Sequence, residues 1–204
     1  MDKTLFWKND QQKFKIFQIG FNKCGTRSLH HFFHKNKVKS QHYDAGKIAS
    51  TMLRHYSNGE PLVDIRYRDI VFFGDIENIY DHNEPIYIPQ LLFKELYKQY
   101  PKSKFILNIR DKNKWLKSRC LHGNGEYLTL ISEKLGKTEE EVVEIWDLEW
   151  DKHINNVKDF FKDKPDKLII YNIEKDSIHK IINFFKNDLK LDSKLYKHLG
   201  KTKI

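Results

Sequence analysis

Cysteine is scarce in this sequence: Cys24 and Cys120 are the only two among 204 residues. Two thiols make no disulfide framework, both are expected to be reduced, and a cytoplasmic setting is the expectation that follows. Long apolar runs are also missing. The opening Met1-Asp-Lys-Thr is charged and polar, with no apolar core and small-residue cleavage site behind it, so neither a cleavable leader nor a bilayer-spanning helix is expected. Only 5 Pro and 9 Gly punctuate the chain. No linker or internal repeat stands out, and one domain over residues 1–204 is expected. Acidic residues are the minority charge, 28 against 37 Lys+Arg, for a formal net charge of +9. That excess favours anionic partners such as nucleotides, sulfated or phosphorylated compounds, nucleic acid or acidic membranes, without choosing among them. What is present, 39% hydrophobic and 14% aromatic residues, supplies a core and excludes a disordered chain.

The hydrophobic pattern alternates between strand and helix. Phe14-Lys-Ile-Phe-Gln-Ile19 reads as a short strand ending at Gly20. After a loop over 21–25, Leu29, Phe32 and Phe33 fall at helical spacing within 26–35. Residues 38–43 suggest a second strand, 45–56 a helix, and Asn58-Gly-Glu-Pro61 a turn. Ile70-Val-Phe-Phe73 reads as a buried strand running into Gly74-Asp75, and 87–100 as a helix closed by Pro101. Residues 104–109 form another apolar strand, followed by a helix over 113–121 that His122-Gly-Asn-Gly125 breaks. Thr138 and Glu141 make a capping-box pattern that opens a long helix towards Phe161. A last strand at 167–172 and a last helix at 177–186 complete the order. Strands separated by helices predict an α/β fold, a mainly parallel sheet covered on both faces, with ligands at the carboxyl ends of the strands.

The chemistry is concentrated in Gly20-Phe-Asn-Lys23-Cys-Gly25-Thr26-Arg-Ser28-Leu29. Gly25 allows the backbone close to an oxyanion, the first-turn N–H groups and the helix dipole face it, and the Thr26 and Ser28 hydroxyls add donors. Lys23 adds a mobile positive charge. In the common nucleoside-triphosphate loop the Lys follows the second Gly and precedes Ser or Thr; here it comes before that Gly, which weakens an ATPase reading.

Gly20-x-x-Lys23-x-Gly25-Thr26-x-Ser28-Leu29 resembles the 5′-phosphosulfate loop of the sulfotransferases that use 3′-phosphoadenosine 5′-phosphosulfate (PAPS). A second motif of that family, an Arg at the end of a later strand with a Ser eight positions on, is matched by Arg110 and Ser118. The resemblance extends loosely through Trp146, His153, the strand before Asn172 and the closing helix. It implies a single-domain, three-layer P-loop-like fold and a PAPS-binding transferase whose product is PAP, with no metal. By the same likeness the donor is held by Asn22, Lys23, Cys24, Gly25, Thr26, Arg27 and Ser28 at the 5′ end, and by Arg110 and Ser118 at the 3′-phosphate. Lys23 is the expected central electrostatic residue, and transfer is expected as an in-line displacement at sulfur. The Arg-Lys-Gly loop that many cytosolic members close over the 3′-phosphate is absent. Lys197-His-Leu-Gly200-Lys201-Thr-Lys203 is a candidate substitute, with Lys201 as its phosphate contact; a frayed basic tail is the alternative.

Such families place a His or carboxylate at the end of the strand after the second helix, where Phe72-Phe-Gly-Asp75-Ile-Glu77 stands. Asp75 is the first candidate for the base that activates the acceptor, Glu77 the second, and a turn cap is the alternative role for Asp75. His42 is a further candidate, for acid/base work or the acceptor pocket. His30, His31 and His34 read as surface residues, with no Cys or carboxylate pattern to complete a metal site. His153 reads as structural, and Cys24 and Cys120 as packing residues rather than nucleophiles. The acceptor, a hydroxyl or amine compound, and the oligomeric state are not identified by the sequence. No nucleic-acid partner is expected. A nucleotide kinase and a basic nucleic-acid-binding module are the competing functions, distinguishable by Mg²⁺-dependent ATP binding and by steep salt dependence of nucleic-acid affinity respectively.

Overall fold

The computed structural model describes residues 11–80 and 84–200. The chain runs β1 (Ile16–Gln18), α1 (Thr26–Lys35), β2 (Ser40–His42), α2 (Lys47–Ser57), β3 (Phe72–Gly74), β4 (Glu77–Asn78), β5 (Ile86–Tyr87) and α3 (Ile88–Gln99). It continues through β6 (Lys104–Ile109), α4 (Lys112–Cys120), α5 (Glu126–Leu135), α6 (Glu139–Phe161), β7 (Leu168–Asn172) and α7 (His179–Phe185). Five strands form one parallel sheet in the order β2-β3-β1-β6-β7, and β4 and β5 make a separate antiparallel pair. The expected α/β architecture, a parallel sheet between helical layers, is the one observed.

Alternation along the strands sorts side chains onto two cores. Phe17, Phe73, Phe105 and Leu107 point to one face, where α2, α3, α4, α5 and α6 cover them with residues such as Met52, Phe93, Trp115, Ile131 and Trp146. Ile16, Phe72, Ile106 and Ile169 point to the other, against Leu29, Phe32 and Phe33 of α1 and Ile181 and Phe185 of α7. Because both faces are covered, every residue of β1 and of β3 is buried, and both strands are largely apolar. No helix among the described residues is long and apolar enough to cross a membrane.

One expected boundary is corrected and two further elements are found. The helix expected from Ala45 starts at Lys47, because Tyr43, Asp44 and Ala45 all take positive φ and form a tight 3₁₀ turn first. The segment after His122-Gly-Asn-Gly125, left unassigned in sequence, is α5, whose Tyr127, Leu128 and Ile131 enter the core. The β4–β5 pair was also unassigned; at two residues per strand it has no periodicity to read. The break at 122–125 is real and takes the form of a 3₁₀ turn with Gly123 and Asn124 at positive φ.

Candidate active site

β1 lies between β3 and β6, and the helices that follow β1 and β6 pack on opposite faces of the sheet, so a crevice opens beyond the carboxyl ends of these two strands. The loop that follows β1 is strapped into this crevice by three other elements. Buried Asn108 of β6 accepts from Gly20 N (3.0 Å) and donates to Phe21 O (3.3 Å) and Cys24 O (2.9 Å). Trp115 of α4 donates its indole N–H to Asn22 O at 3.1 Å, and His153 of α6 bonds Ile19 O through Nε2 at 2.6 Å. Gly20 is required by this packing: a Cβ there would lie 2.1 Å from Asn108 O. Lys23 (φ 60°) and Gly25 (φ 75°) turn the loop into α1. That helix has no side-chain cap and no acidic residue in its first turn, so its leading N–H groups remain available to an anion.

Lys23, Gly25 and Ser28 border a cavity of about 380 Å³. Arg110, at the end of β6, and Ser118, two turns along α4, form its opposite wall, so the two sequence motifs converge on one space. Arg110 donates Nη1–H to Lys23 O (3.2 Å) and pairs through Nη2 with Glu174 (3.1 Å), while its buried Nε has no partner among the described residues. Tyr196, His198, Leu199 and Gly200 close the cavity from the C-terminal side. Leu199 N donates to Ser28 Oγ at 2.9 Å, so this segment rests directly on the phosphate-type loop. Lys201 lies outside the described residues.

Lys23 and Gly25 also border a neighbouring cavity of about 110 Å³ together with Asn22, Thr26, Asp75 and Glu77. Exposed Arg27 reaches the same space. Asp75, with φ 56°, follows β3, and its Oδ1 is buried without a partner among the described residues, while Oδ2 lies 3.4 Å from His42 Nε2. Burial, reinforced by the nearby Glu77 charge, raises the Asp75 pKa well above the ordinary carboxylate range; Lys23 and Arg119 oppose the rise. Glu77 is also raised by burial, but it is offset by the Arg119 charge and by hydrogen bonds from Asn22 Nδ2 (3.1 Å) and Tyr127 OH (3.5 Å). Desolvation pushes Lys23 down, against the pull of Asp75. His42 bonds Thr26 Oγ1 at 3.0 Å, and burial, with the His30 and Arg27 charges, depresses it to about 4, which favours a neutral imidazole at pH 7.

The Cys24 thiol is fully buried in the core, where desolvation drives its pKa upward, so only its backbone is available to a ligand. Half-buried Cys120 packs against the same core, in keeping with the packing role expected of both thiols. His153 is structural, as expected. Sequence reasoning missed His122, whose Nδ1 lies 3.4 Å from Lys23 Nζ. It also missed Tyr127 and Arg119, which support Glu77, and Asn108, which holds the loop. His122 sits in a Gly-rich break that gives no catalytic signal, Tyr127 lies in the unassigned segment behind it, and Asn108 and Arg119 occupy positions whose pattern reads simply as strand and helix.

No curated protein matches the chain. A family model described as a sulfotransferase domain matches residues 15–122, just over half of the sequence. The match runs from β1 through Lys23, Asp75, Arg110 and Ser118 to His122, the stretch that builds the crevice. The chain belongs to the sulfotransferase domain family.

Proposed function

We propose that the chain, acting as one domain, transfers a sulfuryl group from PAPS to a hydroxyl or amine, with Asp75 as the base. The observation that carries this reading is the convergence of Lys23, Ser28, Arg110 and Ser118 on one cavity, with two buried carboxylates in the adjoining one. The donor set fits a bisphosphorylated nucleotide: an open helix N-terminus, a lysine, an arginine with an unpartnered Nε and two serine hydroxyls. Asn22, Gly25, Thr26, Arg27, Ser28 and the Cys24 backbone would hold the 5′ end, and Arg110 and Ser118 the 3′-phosphate. Bound there, PAPS supplies the sulfuryl group and PAP is the leaving product.

Lys23 would stabilise the negative charge that develops on the departing phosphate, a role its shared position between the two cavities supports. Asp75 Oδ1, free of hydrogen bonds and made basic by burial, accepts the acceptor's proton. Glu77, with both oxygens already engaged, keeps a negative charge beside Asp75. His42 orients Asp75 and Thr26. The test is thermal unfolding with PAP, with ATP plus Mg²⁺, or with neither. A ligand at about a hundred times its dissociation constant adds roughly 2.7 kcal/mol of apparent stability. Stabilisation by PAP alone is expected; a response only to ATP plus Mg²⁺ would replace this reading with a kinase.

A further inference from the structure

Arg119 follows Ser118 on α4, yet its side chain turns into the protein and is only 1% exposed. Its guanidinium carbon lies over five aromatic rings, nearest Trp146 at 4.3 Å, then Tyr87 at 5.1 Å, Trp115 at 5.2 Å, Tyr127 at 5.4 Å and Phe21 at 5.9 Å. No carboxylate lies within ion-pair distance of it among the described residues, and Nε and Nη1 have no hydrogen-bond partner there. A buried cation without a direct counter-ion is costly, even when aromatic faces lower the cost. Such a group persists where its charge acts on something nearby.

Its one hydrogen bond among the described residues shows what that is. Arg119 Nη2 donates to Tyr127 OH at 3.2 Å, and Asn22 Nδ2 donates to the same oxygen at 3.0 Å. Two incoming donors fill the lone pairs of that phenolic oxygen, leaving its own proton to give. The takers within reach are Glu77 Oε2 at 3.5 Å and Tyr87 OH at 3.2 Å, and an anionic carboxylate is the stronger acceptor. We propose that Arg119 is a positioning residue that acts through the Tyr127 hydroxyl to hold Glu77 as an oriented carboxylate facing Asp75. The arrangement splits a buried pair of acids into one fixed anion and one proton acceptor. Its catalytic consequence rests on the role proposed for Asp75; the hold on Glu77 does not.

The charged and titratable groups around Glu77 come from every packed element. Asp75 stands between β3 and β4, Lys23 on the loop after β1, Arg119 on α4, Tyr127 on α5 and Tyr87 on β5. Glu149 of α6 acts on Arg119 and Tyr87 from the far side. Arg119 is the largest of the charges favouring the Glu77 anion.

The experiment is carboxyl ¹³C NMR titration of the full chain labelled at Asp and Glu side-chain carboxyls, with Asp75→Asn and Glu77→Gln used for assignment. In Arg119→Met the Glu77 titration is expected to move up by at least about one pH unit, a tenfold change in its acid dissociation constant. Arg119→Lys should recover part of that shift, and Tyr127→Phe should show a smaller rise. A Glu77 titration unchanged in folded Arg119→Met overturns the proposal. Should that variant not fold, Tyr127→Phe, which removes one oxygen, decides, and an unchanged titration there overturns it equally. PAP-induced stabilisation is measured alongside: its absence with the Glu77 shift intact would remove the donor assignment and leave the positioning role standing.

Discussion

At the scale of single residues, the site sets two demands against each other, and Asp75 carries most of the conflict. Its carboxyl is held at 15% side-chain exposure beside Glu77, so its charged form is disfavoured in the fold. A folded pKa above the unfolded value means that the folded state binds more protons between the two, so this group lowers stability as pH rises through that window. Asp75→Asn is therefore expected to melt higher than the wild type at pH 8, with the difference shrinking as pH falls towards the ordinary carboxylate pKa. The same variant should lose roughly 10²–10⁴ in transfer rate, the usual worth of a positioned base. In the wild type the rate should rise with pH through the raised Asp75 value rather than level off near 4. Thermal melts and a pH–rate profile on one variant thus test both halves, and a wild-type-like rate would remove Asp75 as base. Lys23→Ala separates from this case: Lys23 is only partly buried and outside both cores, so the fold should stand while the rate falls by at least about 10²-fold, measured as PAP release from PAPS.

Among elements, the strand–loop–helix unit at β1 and α1 is the one whose geometry admits least change. Gly20→Ala would press a methyl group against Asn108 O, a clash with backbone that no side-chain rotation relieves. A cost of about 1–3 kcal/mol is expected, together with loss of PAP-induced stabilisation, because the displaced loop carries Lys23 and Gly25. Thr138→Ala is the contrasting case. It removes the capping box of α6, in which Thr138 Oγ1 accepts from Glu141 N at 3.2 Å and Glu141 accepts from Thr138 N at 2.9 Å. About 1 kcal/mol, or roughly 2–4 °C, should be lost with the PAP response unchanged. Both elements were legible in the sequence, and for different reasons: α6 because its cap is written in adjacent residues, the β1 loop because its glycines and lysine have a phosphate-specific spacing. α5 was not, since Gly125 opens it in a left-handed conformation with no side-chain cap, behind a run that reads as a breaker. The supports of the site were illegible for a related reason. Asn108 bonds the loop across 84 to 88 residues and Tyr127 bonds Glu77 across 50, and no local pattern encodes such contacts.

For the whole molecule, the parallel order β2-β3-β1-β6-β7 explains why motifs nearly ninety residues apart share one cavity: β1 and β6 are neighbours with their carboxyl ends aligned. The chain then returns to the same edge, where its last described residues close that cavity. Tyr196 is anchored, with its ring against Phe32 at 5.8 Å and a side-chain bond to Tyr171. Beyond it, His198, Leu199 and Gly200 touch little except the site itself, through the Leu199–Ser28 bond and the approach of Gly200 to the Arg27 guanidinium. Removing everything after Lys197 should leave the ligand-free melting temperature nearly unchanged, because both cores and the Tyr196 anchor remain. PAP affinity, by titration calorimetry, is expected to fall roughly tenfold as the wall is lost, a change of about 1.4 kcal/mol. Tighter binding by the shortened chain would mean the reverse, that the segment competes for Ser28 instead of completing the cavity. Unchanged affinity would place the bound nucleotide away from Ser28, and with it the whole 5′ end of the assignment.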